Sequence, residues 1–352
     1  MKLENHIEKF KKKINDTDDR SVYYKPTKRL IYKIKKKLKR NPKNIELINL
    51  CGILALETND IELSCNMFIR AVHIEANVKT LNNLAYFYLH VYDDSEKAVV
   101  FLRKAIDMNP KSEFPYAQLG EAYIDLQQYD KAEYYLKKAA EFNPTLEILN
   151  NLGLTVYMQG RVQDSLSHFE RALKHRHNTE TLLSYGTILA KIGERERAEN
   201  IAKDLSRILE GFLETGQHII YAEIGFLEIA ELYYEIKNYE MASEYFSKAQ
   251  KYGVGHYYNM YQYSLIQCQN NIKAEGLCGE FRINKLMELE DIKECRFYSE
   301  EEIKYFENKY SREIEVLLEV YEKIKKGYCP EEEFIPRRLS HCYLFGCLRH
   351  DN

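Results

Sequence analysis

Two asparagine pairs, Asn82-Asn83 and Asn150-Asn151, each lead into a leucine and then a small residue. An asparagine amide carries a donor and an acceptor, so it can pair with a peptide backbone whatever side chains that backbone bears. Asn49, Tyr86, Glu121, Asp125, Tyr157, Glu231, Tyr234 and Glu235 fall at or beside the same helical phase, on a stripe set by steps of three and four residues. The tyrosines would offer apolar contact with a polar tip, as binding surfaces favour. The carboxylates would attract a lysine or arginine. This is the chemistry of recognising an extended chain, not of breaking a bond. The plainer alternative is that these asparagines face solvent and steady a neighbouring helix, because polar side chains on an exposed stripe need no ligand.

A second constellation lies in the tail, where Cys329, His341, Cys342, Cys347 and His350 gather. Cys342, Cys347 and His350, with Cys329 as a fourth ligand, are soft donors that zinc or an iron–sulfur cluster accepts. The spacing matches no standard zinc finger, and the competing expectation is a docked apolar tail with buried thiols. Catalytic signatures are missing: there is no Gly-x4-Gly-Lys loop, no His-Glu-x2-His, no Gly-x-Ser-x-Gly and no Cys-x2-Cys. Gly253-Val254-Gly255 fits a helix terminator with a turn, and His168, His175 and His177 read as satisfied or exposed histidines. The expectation is therefore a protein that is not an enzyme and has no resident cofactor.

The elements that must carry these residues follow from a repeat. Tyr116-x2-Leu119-Gly120-x2-Tyr123, then Ala132-x3-Leu136-x2-Ala139 and Pro144, recurs with substitutions every 33 to 35 positions. Apolar residues at i, i+3, i+4 and i+7 form one stripe of a helix, and a small residue among them admits a partner helix closely. Gly52, Gly120, Gly153 and Gly186 hold that small position, with Ala85 and Ala230 replacing glycine. Glycine within a helix costs about 0.5–1 kcal/mol relative to alanine, so its recurrence at one phase implies close packing. Asn109-Pro110 and Asn143-Pro144 end the second helices.

The pattern resembles the tetratricopeptide repeat, although Tyr, Phe, Leu or Ile stands throughout where that family has tryptophan. The resemblance implies an all-α, right-handed superhelical solenoid of stacked antiparallel helix pairs. It also implies that the polar stripe lines a concave groove in which such asparagines hold a ligand's backbone. The family's clamp for acidic chaperone tails needs Lys and Arg residues that this stripe lacks. Six repeats are expected at 45–77, 78–112, 113–145, 146–178, 179–212 and 223–256, the fifth with a longer second helix ending near Gly211. They follow a basic arm with degenerate capping helices over 1–44. Divergent helices over 257–326 (Tyr257 to Gln269, Leu277 to Leu289, Glu300 to Lys326) and a Cys/His tail over 327–352 come after. The ending Leu339 to Leu348 is apolar enough to dock. The function expected is an adaptor binding a peptide or extended protein segment, one carrying basic residues; the alternatives are a regulator sensing a short signalling peptide and a metal- or nucleic-acid-linked role.

The chain has 352 residues, is 45% apolar and carries a net charge of −3, but the charge is unevenly placed. Residues 1–43 hold sixteen Lys or Arg against five Asp or Glu, net +11, which leaves −14 for the remainder. Leu30, Ile31, Ile34 and Leu38 predict a helix from Thr27 to Arg40. Its lysines are either solvated on a capping repeat or contact nucleic acid, an anionic membrane or the acidic groove. No 18-residue apolar run and no apolar stretch behind Met1-Lys2-Leu3 is present, so a cytoplasmic location is the default expectation. Eight cysteines without regular spacing suit reducing conditions better than a disulfide framework.

Overall fold

A computed structural model describes residues 3–15, 20–216, 224–251, 258–295, 297–331 and 334–348. Those residues form seventeen helices and no strand. The chain divides into two compact units, Met1–Arg176 with Arg338–Asn352, and His177–Arg337. The first unit holds α1 (Glu4–Asn15), α2 (Arg20–Leu38), and four packed pairs. The pairs are α3 (Ile45–Glu57) with α4 (Ile61–Ile74), α5 (Val78–His90) with α6 (Ser95–Ile106), α7 (Phe114–Asp125) with α8 (Tyr129–Phe142), and α9 (Leu146–Met158) with α10 (Val162–His175). The second unit holds α11 (Thr179–Lys191) with α12 (Arg195–Glu214), α13 (Phe226–Ile236) with α14 (Tyr239–Lys251), then α15 (Tyr258–Gln267), α16 (Asn271–Glu294) and α17 (Glu300–Lys325).

Local chemistry explains where the first helices of the pairs begin. Asn44, Asn77, Thr145 and Asn178 sit at their N-caps and accept from the backbone N–H three residues on, satisfying donors that have no intrahelical partner. Asn77 and Thr80 cap one another reciprocally. The turn inside each of the first five pairs passes through one left-handed residue: Asn59, Asp93, Gln127, Gly160 and Gly193, with φ of 55, 52, 55, 77 and 89°. Between the helices of a pair, the glycine phase does what its recurrence implies. A Cβ on Gly120 would lie 2.5 Å from Leu136 Cγ, and one on Gly153 would lie 2.9 Å from the Phe169 ring.

The core of the first unit runs between the pairs, through Leu102, Leu119, Leu136, Leu149 and Leu152, all buried. Two residues of the chain's own tail, Leu339 and Tyr343, belong to that same cluster. Three elements differ from the sequence expectation. The helix α2 starts seven residues before Thr27 and absorbs Pro26, with Thr27 Oγ1 donating to the Tyr23 carbonyl at 2.7 Å. The helix α16 starts at Asn271, not Leu277, because Asn270 caps it, and it runs through Gly276 and Gly279, where an added Cβ would meet nothing within 4 Å. The helix α12 continues past Gly211 to Glu214. Gly253-Val254-Gly255 lies outside the described residues.

Candidate functional site

Within the first unit, the face shared by α5, α7 and α9 is not open: the segment Arg338–Leu348 of the same chain lies in it without regular secondary structure. Asn151, on α9, holds both backbone groups of one tail residue, accepting from Leu339 N at 2.9 Å and donating to Leu339 O at 2.7 Å. Asn83, on α5, does the same for Phe345, accepting from its N at 2.8 Å and donating to its O at 3.0 Å. Between them, Asn82 Nδ2 donates to Tyr343 O at 2.7 Å, and Gln118 Nε2 donates to the same oxygen at 3.3 Å and to Asn82 Oδ1 at 2.8 Å. All five side chains of this ladder, Asn82, Asn83, Gln118, Asn150 and Asn151, are completely buried. Asn150 donates to Asn151 Oδ1 at 3.3 Å and so orients the clamp.

Side chains of the tail fill what lies between these polar rungs. The Tyr343 and Phe345 rings pack on Phe114 at centroid distances of 5.5 and 5.0 Å. Leu344 and Cys347 join Ile53, Phe68, Leu84 and Phe87, and Leu348 packs against the cluster of α2 and α3. The tail thus descends the repeats in reverse order, from α9 towards α3.

One charged contact anchors the segment's start. Arg338 Nη1 lies 3.2 Å from Glu121 Oε2, and its Nε lies 3.2 Å from Asp125 Oδ1. Glu121 is completely buried, also accepts from Asn151 Nδ2 at 3.3 Å, and has His90 Nε2 at 3.5 Å. Burial pushes the Glu121 carboxyl up to about 8 against the opposing pull of Arg338, with Asp125 and Glu147 adding to the rise. Asp125 is raised for the same first reason. Burial, and secondarily Arg338, lowers His90 to about 4, so this imidazole is neutral and its approach to Glu121 is no ion pair; Nε2 makes no hydrogen bond among the described residues.

The second unit treats the preceding tail residues similarly. Arg337 N donates to Ser184 Oγ at 3.1 Å, and its guanidinium reaches Glu180 at 3.3 Å and Glu228 at 2.6 Å. Tyr234 Oη donates to Pro330 O at 2.7 Å and lies 3.4 Å from Cys329 Sγ. A cavity of about 210 Å³ remains beside these contacts, lined by Thr187, Glu228, Glu231, Glu235, Met260, Phe334 and Arg337 among others.

Comparison with known proteins identifies the repeat. Family models described as tetratricopeptide repeat match residues 115–146, 145–176 and 226–252. The chain carries tetratricopeptide repeats. The CTR9 homolog of Arabidopsis thaliana is 28% identical to it over 129 residues, 35% of this chain and 12% of that protein. Tetratricopeptide repeat protein 16 of Mus musculus is 30% identical over 101 residues, 28% of this chain and 13% of that one. The matched region therefore spans only about an eighth of either curated relative. Among solved structures, a tetratricopeptide repeat protein from Parabacteroides merdae superposes with a TM-score of 0.51 at 18% identity, covering 75% of this chain and 98% of that one. PilW, a type IV pilus biogenesis factor, gives 0.50 at 17% identity, covering 59% and 91%. Both likenesses show the fold alone.

With the tetratricopeptide repeats in place, the candidate residues sort clearly. Asn82, Asn83, Asn150, Asn151, Glu121 and Asp125 come together around the tail, and Tyr86 lies half-buried beside them against His90. Tyr157 is half-buried on α9. Asn49 is 9% exposed on α3, its Oδ1 unpaired among the described residues. Tyr234, Glu231 and Glu235 belong to the second unit, where Glu235 pairs with Lys191 at 3.0 Å. The expectation of an accessible groove is corrected for the first unit: the protein's own tail fills it, its apolar side chains packing into the clusters of that face and its backbone meeting the asparagines. Backbone contacts come from Asn82 at the expected phase and from Asn83, Gln118, Asn151 and Ser184 one residue beyond it, a polar ladder repeating every 33 to 35 positions. Gln118 and Ser184 were missed, though that periodicity is visible in the sequence.

Among the described residues no group of three or more His, Cys, Asp or Glu is placed to hold a metal ion. Cys329 lies in the second unit beside Tyr234, whereas Cys342 and Cys347 in the first hydrogen-bond to each other, which together with burial pushes the Cys342 thiol up. His350 lies outside the described residues. On α2 and just after it, Lys25, Lys28, Arg29, Lys33, Lys35, Lys36, Lys37, Lys39, Arg40 and Lys43 are all exposed. No helix of the described residues is long and apolar enough to cross a membrane.

Proposed function

We propose that this protein is an interaction scaffold whose repeat groove binds an extended segment of a partner protein. The observation that carries the reading is the pair of asparagine clamps. Asn83 and Asn151 each engage the N–H and the C=O of one residue, a contact that an extended backbone satisfies irrespective of its side chains. Apolar pockets beside the clamps select side chains, and Glu121 with Asp125 selects a cation. The chain's own tail meets these requirements, which supports the reading. Beside the second unit's cavity, Glu228 holds the tail's own Arg337, which suits the same preference for a basic partner.

A photo-crosslinking amino acid tests the scaffold reading in the intact chain within its own cells. Placed at Tyr86, half-buried beside the clamps, it is expected to capture a second polypeptide; placed at Tyr134, exposed on α8, it is not. Crosslinks from Tyr134 only, or from Tyr86 only to the chain's own tail, would remove the groove reading.

A further inference from the structure

The tail occupies the groove of the first unit imperfectly. Tyr343 is 1% exposed, yet its hydroxyl has no hydrogen-bond partner among the described residues, and Gln118 Oε1, completely buried on the same face, has none either. A buried polar atom that gives up water without gaining a partner weakens the complex that buries it. By contrast the Arg338, Leu339 and Phe345 positions are well satisfied: a cation between two carboxylates, a clamped backbone with an apolar side chain in the core, and a clamped backbone with a ring on Phe114.

From these observations we infer the partner's pattern: arginine, then leucine, then phenylalanine at the fifth and seventh positions after the arginine, with the chain's own tail as a built-in, weaker competitor. The inference rests on the groove reading above and deepens it. Phenylalanine at the position of Tyr343 fills the same pocket without an orphaned hydroxyl. Arginine is favoured at the first position because it is the cation that Glu121 and Asp125 face, and a neutral residue would leave both carboxyls without that partner. The competitor is effective because it is tethered. A covalently attached segment is present at an effective concentration on the order of millimolar, so a free segment of similar intrinsic affinity is held off by a large factor.

The experiment uses the full-length chain and fluorescence polarisation of a labelled peptide covering residues 336–348, kept reduced, in two versions: one with Tyr at position 343 and one with Phe. Arg338→Glu in the protein sets a carboxylate against Glu121 and Asp125 and expels the tail. Phe345→Ala loosens it more gently should the first variant fold poorly, as judged by its thermal melt. The expected result is that the loosened protein binds the peptide about 10²- to 10³-fold more tightly than the wild type does. The Phe version should bind about 5- to 30-fold more tightly than the Tyr version. Adding Asn151→Ala should abolish binding.

Equal binding by wild-type and loosened protein would overturn the competitor role while leaving the groove reading intact. Equal affinity of the Tyr and Phe peptides would overturn the pattern. A folded, loosened protein that binds neither peptide, or binds them regardless of Asn151→Ala, would sink the groove reading itself. A loosened protein that instead dimerises through exchanged tails would assign the groove to a second copy of the chain and likewise overturn the partner.

Discussion

Glu121 concentrates the electrostatics of the site in one carboxyl. Its folded pKa, about 8, stands above the ordinary 4.5, so the folded state keeps a proton that the unfolded state releases, and stability falls as pH rises between those values. Asp125, raised in the same direction, adds to that loss. His90 acts oppositely. Lowered from 6.5 to about 4, it is uncharged when folded but protonated when unfolded, so it contributes stability that grows as pH rises from 4 to 6.5. The two effects offset each other below pH 6.5, and Glu121 then acts without that compensation. Thermal melts should show wild-type stability declining from pH 6.5 to 8, with the decline markedly reduced in Glu121→Gln. A parallel decline in both proteins would mean that another group is responsible. None of this was legible from composition. Glu121 was recognisable as a stripe residue, but its partner Arg338 lies more than two hundred residues away in sequence.

At the scale of the helices, the repeat's glycines hold each pair together. A methyl group added at Gly153 would stand 2.9 Å from Phe169, a ring with no exposure and therefore no free direction in which to move. Overpacking of this kind costs about 1–3 kcal/mol. Gly153→Ala should lower the denaturant midpoint accordingly with an unchanged slope, and an unshifted midpoint would show that the pair can spread without penalty. This interface was legible in the sequence because a helix repeats its face every few residues and the glycine recurs at one phase. Helix starts were less so. α16 was expected six residues late, whereas a single capping asparagine decides where the helix begins. Likewise Pro26 sits inside α2, since tertiary packing of Leu30, Ile34 and Leu38 outweighs one lost backbone bond.

For the first unit as a whole, the terms that dock the tail largely cancel, leaving about 3–4 kcal/mol in favour of docking, as a 10²- to 10³-fold competition requires. Burying Leu339, Tyr343, Leu344 and Cys347 contributes roughly 6–12 kcal/mol. The hydrogen bonds from Asn82, Asn83, Gln118 and Asn151 add about 6 kcal/mol. Ordering eleven residues of backbone costs about 11–22 kcal/mol, so the two sides agree within their ranges. The tail should therefore leave and return without global unfolding. Amide hydrogen exchange should show Leu339 and Phe345 far less protected than the core of α7 and α9, and trypsin should cut after Arg338 before the repeats. Protection equal to that of α7 would instead make the tail a permanent layer of the core.

The sequence alone determined the helix pairs, their phase and the residue types that grip an extended backbone, because those properties are written in spacings shorter than one repeat. It even marked Leu339 to Leu348 as apolar enough to dock. Only the tertiary structure decided where. Matching an apolar tail to one face of three helices, and an arginine to two carboxylates, depends on which distant surfaces lie within reach. That is a property of the packed chain, and no local periodicity encodes it.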